Sequence, residues 1–556
     1  NDAIVSERAL REIYLKGYEI IVRESQPWTI MTSYNKINGT YAPENKRLVT
    51  DILKKEWGFE GVVMTDWYGG QSATAIINAG NDLIEPGTKN DWNELKESAA
   101  NGSLPISNID ASVKRILKLI LKSKKMKNYN FKNNPDLEKH ALITRKSAAE
   151  GMVLLKNLEN TLPMKNINNI ALIGSSSYDF IAGGTGSGDV EEAYSIALDD
   201  ALVNNGFKIN DVALNEYLKQ NSENIKNKED AAEIPGAIGV AMSMINPYTP
   251  IKMEYSTKLL NKISEASDIA IITIGRNSGE SSDRVLENDF LLSGKEEQMI
   301  KKTCDIFHSK GKKVIVILNI GGVIETSSWK DQPDAILLAW QGGQEGGNSV
   351  VDILTGKVNP SGKLPMTFPI DINDHKSTFN FPMDGEKLKF TDMIFGVDYD
   401  KPENEKIRNK DYTIYEEGIY VGYRHFDKNN IKVSYPFGYG LSYTNFEYSD
   451  LKVIREDQRI NLSLKVKNTG NTKGKEVVQV YISKTNSKID RPLKELKGFS
   501  KTGLLNIGES SNLDILIPIS DFSYWNEEIN NWSIENGEYN ILIGSSSRDI
   551  KLEKKI

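Results

Sequence analysis

Residues 58–70 read GFEGVVMTDWYGG. The apolar run Val62-Val63-Met64 ends on Thr65 and a carboxylate, Asp66, followed by the indole of Trp67 and a turn on Gly69 and Gly70. A short apolar run bounded by glycines predicts a strand buried on both faces. The strand is then the support, and Asp66 is the group it presents.

The flanking residues place that strand in a repeating pattern. Residues 1–22, NDAIVSERALREIYLKGYEIIV, predict an amphipathic helix, and the sequence opens on it with no leader pattern. PWTIMTSYN (27–35) predicts a strand, NKRLVTDILKKEW (45–57) a helix, 73–79 another helix, and DLIEP (82–86) a short strand. Further helices are expected from Asp91 and from Ile106. Strands alternating with helices build parallel sheets, whose functional groups sit at the carboxyl ends of the strands. Tyr34, Asp66 and Glu85 all lie at or just past such ends.

The polar stretch 123–144 reads as a linker. Beyond it MVLLKN, IALIGSS, IAIITIG, KVIVILNIG and AILLAWQGG form five apolar runs, several ending in glycine, and predict a second α/β unit over 145–383. Residues 384–445 read as a charged insertion and connecting segment. From 446 to 556 the pattern changes to period two, as in INLSLKVKNTG and KEVVQVYIS, which predicts a β-sandwich. The fold class is α/β multidomain, and 556 residues exceed what one core can fill.

Composition excludes several classes of function. The net charge of −7 carries no basic stripe, so nucleic acid is not an expected partner. No apolar run reaches the length of a membrane span. The single cysteine, Cys304, forms no internal disulfide, and no Cys/His cluster offers a metal site, so neither metal nor organic cofactor is expected. His140, His308, His375 and His425 are scattered and read as structural. The GGQEGG run (342–347) lacks the Lys-Ser/Thr ending of a phosphate loop, and its glycines read as close packing at a strand–helix turn.

Two carboxylates stand out. Asp66 follows one apolar strand, and Glu280 lies in GRNSGESSDR, the glycine-bearing loop after IAIITIG. Two such groups from two domains can face each other across a cleft. Paired carboxylates with unequal protonation are what glycoside hydrolysis needs: one attacks the anomeric carbon while the other protonates the departing oxygen. The structural alternatives are a surface acid at 66 and a Glu280 that pairs with Arg284.

The run TIMTSYNKINGTYAPENKRLVTDILKKEWGFEGVVMTDW resembles the nucleophile segment of the family 3 glycoside hydrolases, which include β-glucosidases and β-xylosidases. GGTGSGDV, GRNSGESSDR, QGGQEGGNSVVDILTGKVNPSGKLPMTFP, YEEGIYVGYRHF, YPFGYGLSYT and RPLKELKGF follow in the family's order, so the resemblance covers nearly the whole chain. It implies a (β/α) barrel, an α/β sandwich and a fibronectin type III-like domain. Here only the later part of the barrel is expected, over 1–122.

Carried to matching positions, the resemblance makes Asp66 the nucleophile and Glu280 the acid/base of a retaining exo-β-glycosidase, most simply a β-glucosidase. Met31, Tyr34, Trp67 and Ser187 are the implied substrate-binding residues, with Met31 and Trp67 open to the alternative of core packing. Thr65 stands where the family commonly has serine. The family's first barrel strands, with further sugar-binding residues, have no counterpart in this sequence. A companion polypeptide or segment completing the barrel is therefore an expected partner, beside a β-linked glycoside. A β-xylosidase and an inactive carbohydrate-binding or scaffold relative remain open alternatives, as does a homo-oligomer.

Overall fold

The computed structural model describes residues 1–190, 192–232, 250–280, 284–380 and 402–556. Residues 384–401 of the stretch read as a charged insertion and connecting segment lie outside the described residues.

In the first region strand Val62–Thr65 pairs in parallel with Thr29–Thr32, Val62 opposite Thr29 and Thr65 opposite Thr32. Helix Arg47–Glu56 supplies the cover. Its Val49, Ile52 and Leu53 pack with Val22, Trp57, Phe59 and Val63. The third expected strand, DLIEP, shrinks to one parallel bridge between Met64 and Leu83. The N–H groups of Asp82 and Leu83 both converge on the Val63 carbonyl, at 2.8 and 3.2 Å, which breaks the even spacing of a parallel ladder. Among the described residues these strands do not close into a barrel.

The expected helices form as Ala73–Ala79, Lys89–Asn101 and Ile106–Lys122. A strand that sequence periodicity does not reveal, Asp2–Ile4, lies between Tyr412–Ile414 and Lys36–Ile37, parallel to both. It ties the first region to the far side of the chain. Asp136 caps the helix Leu137–Gly151, which begins inside the stretch read as a linker.

The second region is a six-stranded sheet. Its strands run in the order Val153–Asn157, Ala335–Leu338, Val314–Ile320, Ile269–Arg276, Asn169–Ile173 and Lys208–Ile209. All pairings are parallel except the one between Val153–Asn157 and Ala335–Leu338. Every residue of Ile269–Arg276 and Val314–Ile320 is buried, because helices cover both faces of a parallel sheet. Leu137–Gly151, Leu198–Asn204 and Gly346–Leu354 pack as one group, and Asp211–Ala232, Thr257–Glu265 and Gly294–Ser309 as another. Cys304 is part of this core.

The third region is a β-sandwich. Phe446–Arg455, Arg459–Asn468 and Ser510–Pro518 form one sheet; Val477–Lys484, Glu495–Lys501, Tyr539–Ser546 and Asp549–Lys555 form the other. Ile460, Leu462, Leu464 and Val466 are buried alternately and share one core with Val478, Val480, Ile541 and Ile543. A hairpin, Ser523–Asn526 with Asn531–Ile534, reaches the first helical segment of the chain. There the Arg11 guanidinium lies 4.4 Å from the Trp525 ring, and the Trp525 N–H donates to Glu12 at 2.7 Å.

Among the described residues no helix is long and apolar enough to cross a membrane.

Candidate active site

Asp66 sits one residue past its strand, with its N–H donating to the Thr32 carbonyl of the neighbouring strand at 3.2 Å. The bond extends the ladder by one step and fixes where the side chain leaves the sheet. The carboxylate accepts from the Trp67 N–H at 2.7 Å, and the Tyr34 phenol lies within the field of its charge. Thr65, in the position commonly serine, is fully buried, and its hydroxyl accepts from the Glu85 N–H at 2.9 Å. A serine hydroxyl makes the same bond, so the extra methyl changes packing and not this connection.

Tyr34 is the sensor of the site. Its phenol is pushed up to about 12, first by burial, then by the hydrogen bond to Asp66 and the negative charges of Asp66 and Glu280. One hydroxyl therefore feels both carboxylates, which come from two different regions of the chain.

Glu280 lies four residues past the end of strand Ile269–Arg276. Its loop runs beside the glycine loop 183–188, with the Thr185 N–H donating to the Ser278 carbonyl at 2.8 Å and a parallel bridge between Thr185 and Gly279. The Ser187 N–H donates to Glu280 Oε2 at 3.2 Å, and the Ser187 hydroxyl donates to Oε1. This approach requires glycine at 186. Gly186 has φ +70°, and a Cβ there would lie 2.6 Å from Glu280 Cβ and 2.7 Å from Oε2.

The pairing of Glu280 with Arg284 is not what forms. Arg284 donates to Asp289 at 2.6 Å and to the Val323 carbonyl at 3.1 Å. Asp289 also accepts from the Val285 N–H at 3.1 Å, and its carbonyl accepts from Arg276 at 2.9 Å. Arg276 is buried on Glu296 through a bidentate bond of 2.7 and 2.9 Å. The far end of the Glu280 loop is thus anchored to the sheet by ions that Glu280 does not share.

Met31 and Trp67 stand at the ends of the same two strands, 52% and 58% exposed in this chain. Among the described residues no side-chain hydrogen bond or ring contact joins them to the carboxylates; the Trp67 ring meets Tyr68 edge-on at 6.5 Å. Tyr68 itself was not singled out by sequence. It takes φ +63°, rare for an aromatic residue, and is held there by its N–H on the Glu85 carbonyl at 2.8 Å. The doubled glycines after it mark the turn but give no sign of which residue before them carries the strain.

Chemically, the site offers one carboxylate fixed by a backbone amide beside a phenol, and a second held in a separate loop by a serine. Exposed aromatic and sulfur-bearing side chains stand at the ends of the same two strands. This is an arrangement for handling an uncharged polar ring between two acids.

Comparison with known proteins agrees along the chain. Residues 3–119 match the glycosyl hydrolase family 3 N terminal domain, 152–423 the glycosyl hydrolase family 3 C-terminal domain, and 476–547 a fibronectin type III-like domain. The whole chain is 34% identical to thermostable beta-glucosidase B of Acetivibrio thermocellus and covers 66% of that protein. It is 31% identical, over 99% of its length, to an exo-alpha-(1->6)-L-arabinopyranosidase of Bifidobacterium breve, again covering 66%. The chain thus spans just under two thirds of the length of these curated relatives. Among solved structures it is similar to beta-glucosidase 3B from Thermotoga neapolitana in complex with glucose, at 43% identity and a TM-score of 0.88, over all of this chain and 74% of that one. The ordered motifs, the three regions and these likenesses have one common reading: the chain belongs to glycosyl hydrolase family 3.

Proposed function

We propose that the protein is a retaining exo-β-glycosidase acting on terminal β-linked glucose, by two displacements. An Asp66 oxygen attacks the anomeric carbon as the bond to the leaving oxygen breaks, and Glu280 gives that oxygen its proton. Glu280 then takes a proton from water, whose oxygen displaces Asp66 and releases the sugar. The observation that carries the reading is the Tyr34 phenol, which lies within the field of both Asp66 and Glu280. Met31 and Trp67 would border the sugar ring, and Ser187 would share its hydroxyl between Glu280 and substrate.

The beta-glucosidase names among the relatives favour glucose. A second reading, an arabinopyranosidase, has the support of the two Bifidobacterium relatives at 31% identity. Both use the same chemistry and differ in the sugar that fits. An inactive scaffold has no such support, because both acids and their hydrogen-bonding partners are in place.

The proposed partner is a polypeptide segment that completes the barrel. Its support is the strand Thr29–Thr32, paired on one side only among the described residues, and the exposed Val113, Leu117 and Leu121 on helix Ile106–Lys122.

Azide rescue tests the acid/base assignment. The Glu280→Ala enzyme, assayed as the natural full-length protein, should regain turnover of an activated glucoside when azide is added and give the β-glucosyl azide. Wild-type turnover without azide would refute the role of Glu280.

A further inference from the structure

The QGGQEGG turn (341–347) has no place in the two displacements, yet it touches both loops that build the Glu280 side of the site. Gln341 Oε1 accepts from the Ser278 hydroxyl at 3.0 Å, two residues before Glu280. Residues before and after the glycine loop are tied to the same turn. The Gly343 N–H donates to the Ala182 carbonyl at 2.8 Å, and the Ile196 N–H donates to the Gln344 carbonyl at 2.9 Å. Between them the Tyr194 hydroxyl donates to Glu345 at 2.7 Å, and Asn348 holds the other oxygen of that buried carboxylate at 2.8 Å. The glycines permit this closeness: a Cβ on Gly346 would meet the Phe180 ring at 3.0 Å.

We infer that this turn is a brace, with Gln341 and Glu345 as positioning residues for Glu280. Gln341 holds the loop that carries the glutamate, and Glu345 holds the loop whose Ser187 binds its carboxylate. Neither touches the reacting atoms. Two loops of separate origin keep their register because one rigid turn, fixed to the helix Gly346–Leu354, grips both. The inference rests on Glu280 being the proton donor proposed above.

The test separates loss of proton donation from general damage. An alkyl glucoside needs its leaving oxygen protonated; a dinitrophenyl glucoside does not. In the natural full-length protein, Gln341→Ala should lower kcat/KM for the alkyl glucoside by about ten- to a hundredfold and leave the dinitrophenyl glucoside within about threefold. Tyr194→Phe, which removes only a hydroxyl, should move in the same direction by about three- to tenfold. Equal losses on the two substrates, or none, would overturn the brace. If Gln341→Ala does not fold, Ser278→Ala removes the same bond from its other end and carries the same expectation. Glu280→Ala is the reference. If it fails to discriminate between the substrates, the proton-donor reading falls and the inference with it. If it discriminates while Gln341→Ala and Ser278→Ala do not, the brace alone is wrong.

Discussion

The Tyr34 phenol lies within the field of the Asp66 carboxylate, across the ends of two neighbouring parallel strands. Tyr34→Phe keeps the ring and removes the hydroxyl that would donate to the attacking carboxylate. A hydrogen bond to a charged group is worth about 1.5–3 kcal/mol, so kcat/KM for a β-glucoside should fall by about ten- to a hundredfold. Most of the loss should appear in kcat, if the hydroxyl orients the attacking group during turnover. Steady-state kinetics checks it, and a change confined to KM would assign the phenol to sugar binding instead.

Gly186→Ala should displace Glu280 without unfolding the protein. The new Cβ would press on the glutamate side chain, and φ +70° is unfavourable for alanine. Turnover of an alkyl glucoside should fall by about tenfold or more, while the melting temperature moves by only a few degrees, the cost being about 1 kcal/mol in an exposed loop. Unchanged turnover would mean that the glycine loop does not set the position of Glu280.

Glu150 joins the second region to the sandwich through Lys475 and Lys501. Burial acts to raise the carboxyl, but its bonds to the two lysines outweigh this and hold it down at about 2. Its folded value lies below its unfolded one, so its contribution is full above about pH 4.5 and is lost as pH falls toward 2. Glu150→Gln should lower stability by about 1–3 kcal/mol at neutral pH. Melting curves of the two proteins should converge between pH 4.5 and pH 2. A difference that does not depend on pH would place its origin in packing.

Trp525→Ala should uncouple the sandwich hairpin from the start of the chain. The indole is 4% exposed beneath Arg11, and removing a buried aromatic costs about 3–5 kcal/mol. Limited proteolysis should then cut within residues 1–25 well before the second region is attacked. Protection equal to wild type would show that the strand Asp2–Ile4 alone holds this segment.

Much of this was legible in the sequence where the signal is local. Val62–Thr65, Ile269–Arg276 and Val314–Ile320 are apolar runs that can only be buried strands, and the alternation in Arg459–Asn468 carries the sandwich. Asp66 was readable because a strand end exposes whatever follows it. What the sequence hid is non-local. Asp2–Ile4 pairs with Tyr412–Ile414 across some four hundred residues, and three-residue strands have no periodicity to read. DLIEP looked like a strand, yet the bonds of Asp82 to Lys54 and the Val63 N–H draw it out of register. The role of Gln341 was invisible because its partner, Ser278, is known only once the sheet brings strand ends together.

Trapping of the covalent intermediate tests the convergence of the two carboxylates most directly. A glucoside fluorinated next to its anomeric carbon, with a good leaving group, is incubated with the natural full-length protein, and the labelled peptide is located by mass spectrometry. Stoichiometric label on Asp66 is expected, slowed strongly in Glu280→Ala only when the leaving group is poor. Label on any other carboxylate, or undiminished labelling of Asp66→Asn, would contradict it.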